Sequence, residues 1–190
     1  RAGLYVMNAN GTNVRTLAAG SFDVRGAASW SPDGKWVAVA ANQGDGTRLF
    51  KVPLGGGPPV RLLDTLAFSP IWSPDGRFIV YSEQQGGGSF EVKAITPDKA
   101  AVPLPDFRVF YTIATPYRFM PNGKALIALE GSQGAQNFSW VDLEGGQRRQ
   151  LTGFKAGFAI QNFDVSPDGT QIVFDRLRNN SNIVLMNLAR

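Results

Sequence analysis

Trp30-Ser31-Pro32-Asp33-Gly34-Lys35-Trp36-Val37-Ala38-Val39-Ala40-Ala41 is the stretch that decides the fold. Its first five residues spell a tight turn. Pro presets φ near −65°, Asp suits the next turn position, and Gly takes the left-handed conformation that a Cβ would oppose. A β-hairpin with a short, bulged connection follows from that chemistry. The large apolar Trp30 closes the strand before the turn, and residues 35–41 form the strand after it. That second strand is apolar at nearly every position, whereas a strand with one wet face alternates. Apolar residues on both sides require cover on both sides.

The same turn recurs as Trp72-Ser73-Pro74-Asp75-Gly76, Phe119-Met120-Pro121-Asn122-Gly123 and Val165-Ser166-Pro167-Asp168-Gly169, at intervals of 42, 47 and 46 residues. Such intervals lie near the period of propeller blades. The repeat turns are therefore Pro32, Asp33, Gly34; Pro74, Asp75, Gly76; Pro121, Asn122, Gly123; and Pro167, Asp168, Gly169. Each is followed by an apolar strand (35–41, 77–82, 124–129, 170–174), then a polar loop and a third strand (48–54, 90–96, 137–143, 182–188). Gly-rich turns such as Gly55-Gly56-Gly57 lead to short fourth strands at 60–63, 101–104 and 148–151. Each repeat reads as a four-stranded meander, and meanders stacked face to face around an axis bury both sides of their inner strands.

The expectation is an all-β chain: a β-propeller of four-stranded antiparallel blades, about four of them present. Residues 1–17 read as the last two strands of a preceding blade, 18–63, 64–104 and 105–152 as complete blades, and 153–190 as a blade lacking its outer strand. A leading strand would be left over if the last blade closed with the N-terminus. An arc of a larger propeller is thus favoured over a closed four-bladed ring. No signal peptide is read at the start of the chain. Residues 1–9 read directly as strand, which suggests a start inside a longer protein.

Composition supports the fold and bounds the chemistry. The 190 residues carry 22 Gly and 12 Pro, a load suited to many short strands. There is no Cys, so disulfides and thiolate metal sites are excluded. There is no His, which removes the commonest general base and metal ligand. No apolar run approaches the roughly 20 residues of a membrane-spanning helix. The formal charge is +4, with Arg15, Arg61, Arg148 and Arg149 scattered rather than gathered beside stacking aromatics, so no nucleic-acid surface is expected.

Gly-x-Ser-x-Gly and phosphate-loop motifs are absent, and without His no Ser-His-Asp triad can be assembled. Gly86-Gly87-Gly88 lies between two strands and reads as a hairpin loop. Asp33, Asp75 and Asp168 follow the blade period, so the turn is their simplest role, while Asp64, Asp106 and Asp142 fall near strand ends. Residues 8–13 alternate oxygen-bearing side chains like a calcium loop but hold no carboxylate, and read as an Asn-rich hairpin. The chain is expected to be no enzyme and to use no cofactor or metal.

A partner has one better place to bind. Blade-to-blade connections and second-to-third loops emerge on one face, opposite the Ser-Pro-Asp-Gly turns. That face carries Phe107, Phe110, Tyr111 and Phe158, with Arg25, Arg176 and Arg178. Aromatics with Arg are common interface anchors. Arg25, Phe107, Tyr111, Arg176 and Arg178 are accordingly the candidate partner-binding residues, the alternative for the Phe residues being to plug gaps between blades. The expected partner is a protein or peptide.

The turns, together with residues 4–17 (Leu4-Tyr5-Val6-Met7-Asn8-Ala9-Asn10-Gly11-Thr12-Asn13-Val14-Arg15-Thr16-Leu17), resemble the TolB-type, WD-like propeller repeat. Met120 and Asn122 depart from the motif. Residues 150–154, 162–169 and 181–187 further resemble the C-terminal propellers of large bacterial signalling proteins, in which a receptor-like Ser/Thr kinase or winged-helix domain precedes the propeller. The resemblance implies a non-catalytic binding or sensing scaffold, a missing upstream domain of the same protein, and a periplasmic or extracytoplasmic location. An alternative is the substrate-gating propeller of a prolyl-oligopeptidase-type serine peptidase whose catalytic domain lies outside this chain.

Overall fold

The computed structural model describes residues 3–86, 88–110 and 114–178. The third strand expected at 182–188 lies outside them. Among the described residues every regular element is a strand. Among these residues no helix is long and apolar enough to cross a membrane.

The strands follow the repeat. β1 (Gly3–Val6) and β2 (Arg15–Ala19) form a hairpin. β3 (Asp23–Trp30), β4 (Trp36–Asn42), β5 (Thr47–Pro53) and β6 (Val60–Arg61) form blade 1 in that order. β7 (Ala67–Trp72), β8 (Ile79–Gly86), β9 (Ser89–Ile95) and β10 (Ala101–Val102) form blade 2. β11 (Arg108–Phe110) also pairs with β9, placing Val109 opposite Phe90. β10 covers only the Ala94–Ile95 end of that edge. Its short length leaves the other end free, so residues 108–110 join blade 2 rather than opening the next blade. β12 (Tyr117–Phe119), β13 (Ala125–Glu130), β14 (Asn137–Asp142) and β15 (Arg148–Gln150) form blade 3. β16 (Phe163–Val165) and β17 (Ile172–Phe174) are the inner hairpin of blade 4.

The second strands show how the sheets are packed. Successive side chains of a strand leave by opposite faces. On β4, Val37, Val39 and Ala41 join one core with Ala18, Phe22 and Phe50, while Ala38 joins another with Leu49, Trp72 and Tyr81. On β8, Ile79 and Tyr81 belong to this second core and Val80 to a third, with Tyr117 and Leu126. On β13, Leu126 and Ala128 share the third core, and Ile127 and Leu129 a fourth with Phe138 and Phe163. Each second strand is thus shared between two cores, one on either side. That is the arrangement of radially stacked blades.

Polar ties on the innermost strands supplement the apolar contact. The Trp72 backbone N–H donates to Ser29 Oγ at 2.9 Å, joining blades 1 and 2. The Tyr117 hydroxyl donates to the Ser69 carbonyl at 2.7 Å, joining blades 2 and 3. Arg118 Nε lies 3.6 Å from Asp164, joining blades 3 and 4.

The arc is open. Trp72, covered by blade 1, is 7% exposed, whereas its repeat counterpart Trp30 is 55% exposed. β1 and β2 occupy the place of outer strands beside blade 1, with Leu4, Val6 and Leu17 packed on its core. Among the described residues they reach only the Val24 end of the inner strand β3 and leave Trp30 exposed.

Candidate partner-binding site

The turn face is built by repetition. Ser31 Oγ donates to Asp33 at 2.6 Å, and Asp33 also accepts the Lys35 N–H at 3.1 Å. Ser73–Asp75–Arg77 and Ser166–Asp168–Thr170 repeat this network. In the third turn Asn122 accepts the Lys124 N–H at 3.0 Å. Donors from Ser31 and the Lys35 backbone hold the Asp33 carboxyl below the ordinary carboxylate range. The Arg77 backbone N–H, with Ser73 and the Arg77 side chain, does the same for Asp75 against the opposing effect of burial. Ser166 and Thr170 lower Asp168 to about 2. These carboxylates are charged acceptors committed to their own turns.

Neighbouring turns stack. Gly34, Gly76, Gly123 and Gly169 all hold φ between 69° and 74°. A Cβ on Gly76 would lie 3.6 Å from the Pro32 ring, and one on Gly123 3.5 Å from the Pro74 ring. At Gly169 it would lie 3.1 Å from Pro121 and 3.0 Å from Met120 Cε. Each proline therefore sits over the glycine of the following turn. Gly34 has no such neighbour.

Outside the stacked turns the blades part into two clefts. Between blades 1 and 2 a cleft of about 650 Å³ is lined by residues including Asp33, Trp36, Lys51, Trp72, Asp75 and Asp98. Lys51 stands where the strand pairing otherwise places Ala94 or Trp140. Its ammonium donates to the Pro97 carbonyl at 2.9 Å and lies 4.6 Å from the Trp36 ring centroid. The buried Trp72 indole N–H has no acceptor among the described residues. Between blades 2 and 3 a cleft of about 500 Å³ has an apolar floor of Phe78, Val102, Leu104 and Leu143 under a rim that includes Arg77, Lys124 and Glu144. Reading the turns as structural devices missed both clefts. The one sequence signal was a lysine within the apolar run Leu49-Phe50-Lys51-Val52.

The loop face disperses the residues first assigned to it. Arg25 is exposed on β3 of blade 1, 2.5 Å from Asp23. Arg176 and Arg178 are exposed at the far end of the arc, after β17. Phe107 must be withdrawn from the partner-binding set: it is 2% exposed, packed in the core between blades 2 and 3, because its segment turns inward to start β11. Phe158 is likewise buried, between blades 3 and 4. Tyr111 lies outside the described residues. The expected Asn-rich hairpin at 8–13 is present, the Asn8 N–H donating to the Thr12 carbonyl at 2.8 Å.

The comparisons match this geometry. The chain is similar in structure to TolB from Acinetobacter baumannii, at 22% identity and a TM-score of 0.70, covering 95% of this chain and 44% of that one. It is similar to an Agrobacterium tumefaciens structure assigned as a TolB at 18% identity and a TM-score of 0.64, covering 93% and 70%. A prolyl endopeptidase structure matches at 13% identity and a TM-score of 0.61, covering 92% and 28%. These likenesses are of fold, and the chain spans less than half of the Acinetobacter protein. No curated protein matches the sequence. A family model described as the TolB beta propeller domain covers residues 1–189, and the chain belongs to that family.

Proposed function

We propose that this chain is a non-catalytic propeller segment that binds a protein or peptide, within a larger bacterial envelope or signalling protein working outside the cytoplasm. The observation that carries the reading is the pair of turn-face clefts. At about 650 and 500 Å³ they have the size of ligand sites, and each joins apolar walls to a few polar groups. The turn carboxylates beside them, Asp33 and Asp75, are occupied as acceptors rather than poised to exchange protons. On the loop face, Arg25, Arg176 and Arg178 remain as partner contacts.

Two tryptophans in the larger cleft supply the test. A degenerate hexapeptide library is added while tryptophan emission is followed, with Trp36→Phe as reference and mass spectrometry of the recovered peptides. The proposal expects a saturable emission change that Trp36→Phe reduces, with the peptides recovered intact. Cleaved peptides, or emission unaltered at millimolar library, would overturn it.

A further inference from the structure

Three segments meet on the loop face between blades 3 and 4: residues 131–136, 153–162 and 176–178. The Gly157 N–H donates to the Gly134 carbonyl at 2.9 Å. Gln136, buried, accepts the Ile160 N–H at 2.7 Å, and Asn137 accepts the Phe154 N–H at 2.6 Å. Ala159 and Leu177 exchange two backbone bonds of 2.8 Å each. That exchange brings Phe158 beside Arg176. The guanidinium carbon lies 3.8 Å from the Phe158 ring centroid and 5.9 Å from that of Phe154. The two rings meet edge to face at 5.4 Å.

The charge here is one-sided. The three segments contain Lys155, Arg176 and Arg178 and not one Asp or Glu, and no acidic residue follows Asp175 in the sequence. Asp175 is itself committed, accepting the Gln161 and Asn162 N–H groups and the Asn162 side-chain amide. Many cations elsewhere have an acidic neighbour: Arg25 with Asp23, Arg61 with Asp45, Arg77 with Asp75, Arg148 with Glu130. Arg176 and Arg178 have no carboxylate partner among the described residues.

We infer that this surface docks an acidic peptide segment through Arg176. A guanidinium held this close to an aromatic ring is pre-oriented, and its planar fork of N–H donors matches a carboxylate. Side chains two apart on an extended segment leave by the same face, so Arg178 extends the site along a bound strand. Single-stranded nucleic acid fits less well. Its binding needs exposed rings for bases to stack on, and Phe158 is only 7% exposed and capped by Arg176. The inference rests on the binding role proposed above but uses the opposite face.

The probe is a fluorescein-labelled decapeptide of alternating Glu and Gly, followed by anisotropy in low salt, with a Lys-Gly decapeptide and a dT10 oligonucleotide in parallel. The wild-type chain should bind the acidic peptide in preference to both. Arg176→Glu and Arg178→Glu should each weaken that binding at least about tenfold. Arg176→Lys, which keeps the charge and loses the planar fork, should weaken it severalfold, and Lys99→Glu on the turn face should not. Circular dichroism verifies folding, and Arg178→Glu carries the test if Arg176→Glu does not fold. Equal binding by wild type and folded Glu variants, or tighter binding of dT10 than of the acidic peptide, would overturn the inference. Tryptophan emission from the turn-face cleft is read in a parallel titration with the hexapeptide library. A hexapeptide response there that survives Arg176→Glu separates failure of this site from failure of the proposed function.

Discussion

Removing one oxygen atom from Tyr117 should loosen the joint between blades 2 and 3. Its side chain is fully buried, and its hydroxyl donates to the Ser69 carbonyl at 2.7 Å with Ser82 Oγ at 3.4 Å. Ser69 sits at φ 53°, a conformation few non-glycine residues adopt, at the irregularity where the β7–β8 register shifts. Tyr117→Phe leaves the ring in place and strips that carbonyl of its donor. An orphaned buried acceptor costs about 1–3 kcal/mol. With a urea slope of about 2 kcal/mol/M, the unfolding midpoint should fall by about 0.5–1.5 M. Tyr81→Phe is the matched control. Tyr81 is also buried, with its hydroxyl pushed up to about 12 chiefly by burial, yet that hydroxyl makes no hydrogen bond among the described residues. Its midpoint should move by less than about 0.25 M, the reach of a neutral change of about 0.5 kcal/mol. Equal shifts for the two variants, at unchanged slope, would refute the assignment of the Tyr117–Ser69 bond as an inter-blade tie.

Two further outcomes follow from the turns. Gly34→Ala should cost about 1–2 kcal/mol, the price of a left-handed alanine. Gly169→Ala should cost more, because its new methyl meets Pro121 at 3.1 Å where Gly34 faces open space; thermal melts rank the two. Asp168 contributes a pH dependence of definite sign. Its carboxyl is lowered to about 2 by Ser166 and Thr170, so its contribution to stability is fully present above the unfolded value near 4 and is lost as pH falls toward 2. Urea midpoints of wild type and Asp168→Asn should therefore differ at pH 6 and converge between pH 4 and 2. A gap that persists at pH 2 would contradict the turn network.

What was legible in the sequence was local or strictly periodic. The Pro-Asp-Gly turns show themselves because each residue answers a backbone requirement. Two-sided burial shows itself because the run Phe78-Ile79-Val80-Tyr81 never alternates. Contacts between repeats were not legible. Pro32 meets Gly76, Pro74 meets Gly123 and Pro121 meets Gly169 only once the blades curve around a common axis. Phe107 read as a surface anchor because an aromatic in a connection gives no sign of which way its segment turns. Arg176 was named as a candidate, but its seat on Phe158 depends on the isolated Ala159–Leu177 bridge, which no periodicity announces. The cleft around Lys51 escaped because its walls come from turns of two blades.

The radial stacking of blades is tested most directly by Ile79→Ala and Val80→Ala, made separately and compared by urea unfolding. These neighbours point in opposite directions, Ile79 into the core between blades 1 and 2 and Val80 into that between blades 2 and 3. Burial on both sides predicts a loss of about 2–5 kcal/mol for Ile79→Ala and at least about 1.5 kcal/mol for Val80→Ala. A loss below about 0.5 kcal/mol for either, the range of a surface substitution, would mean that one side of the strand faces water.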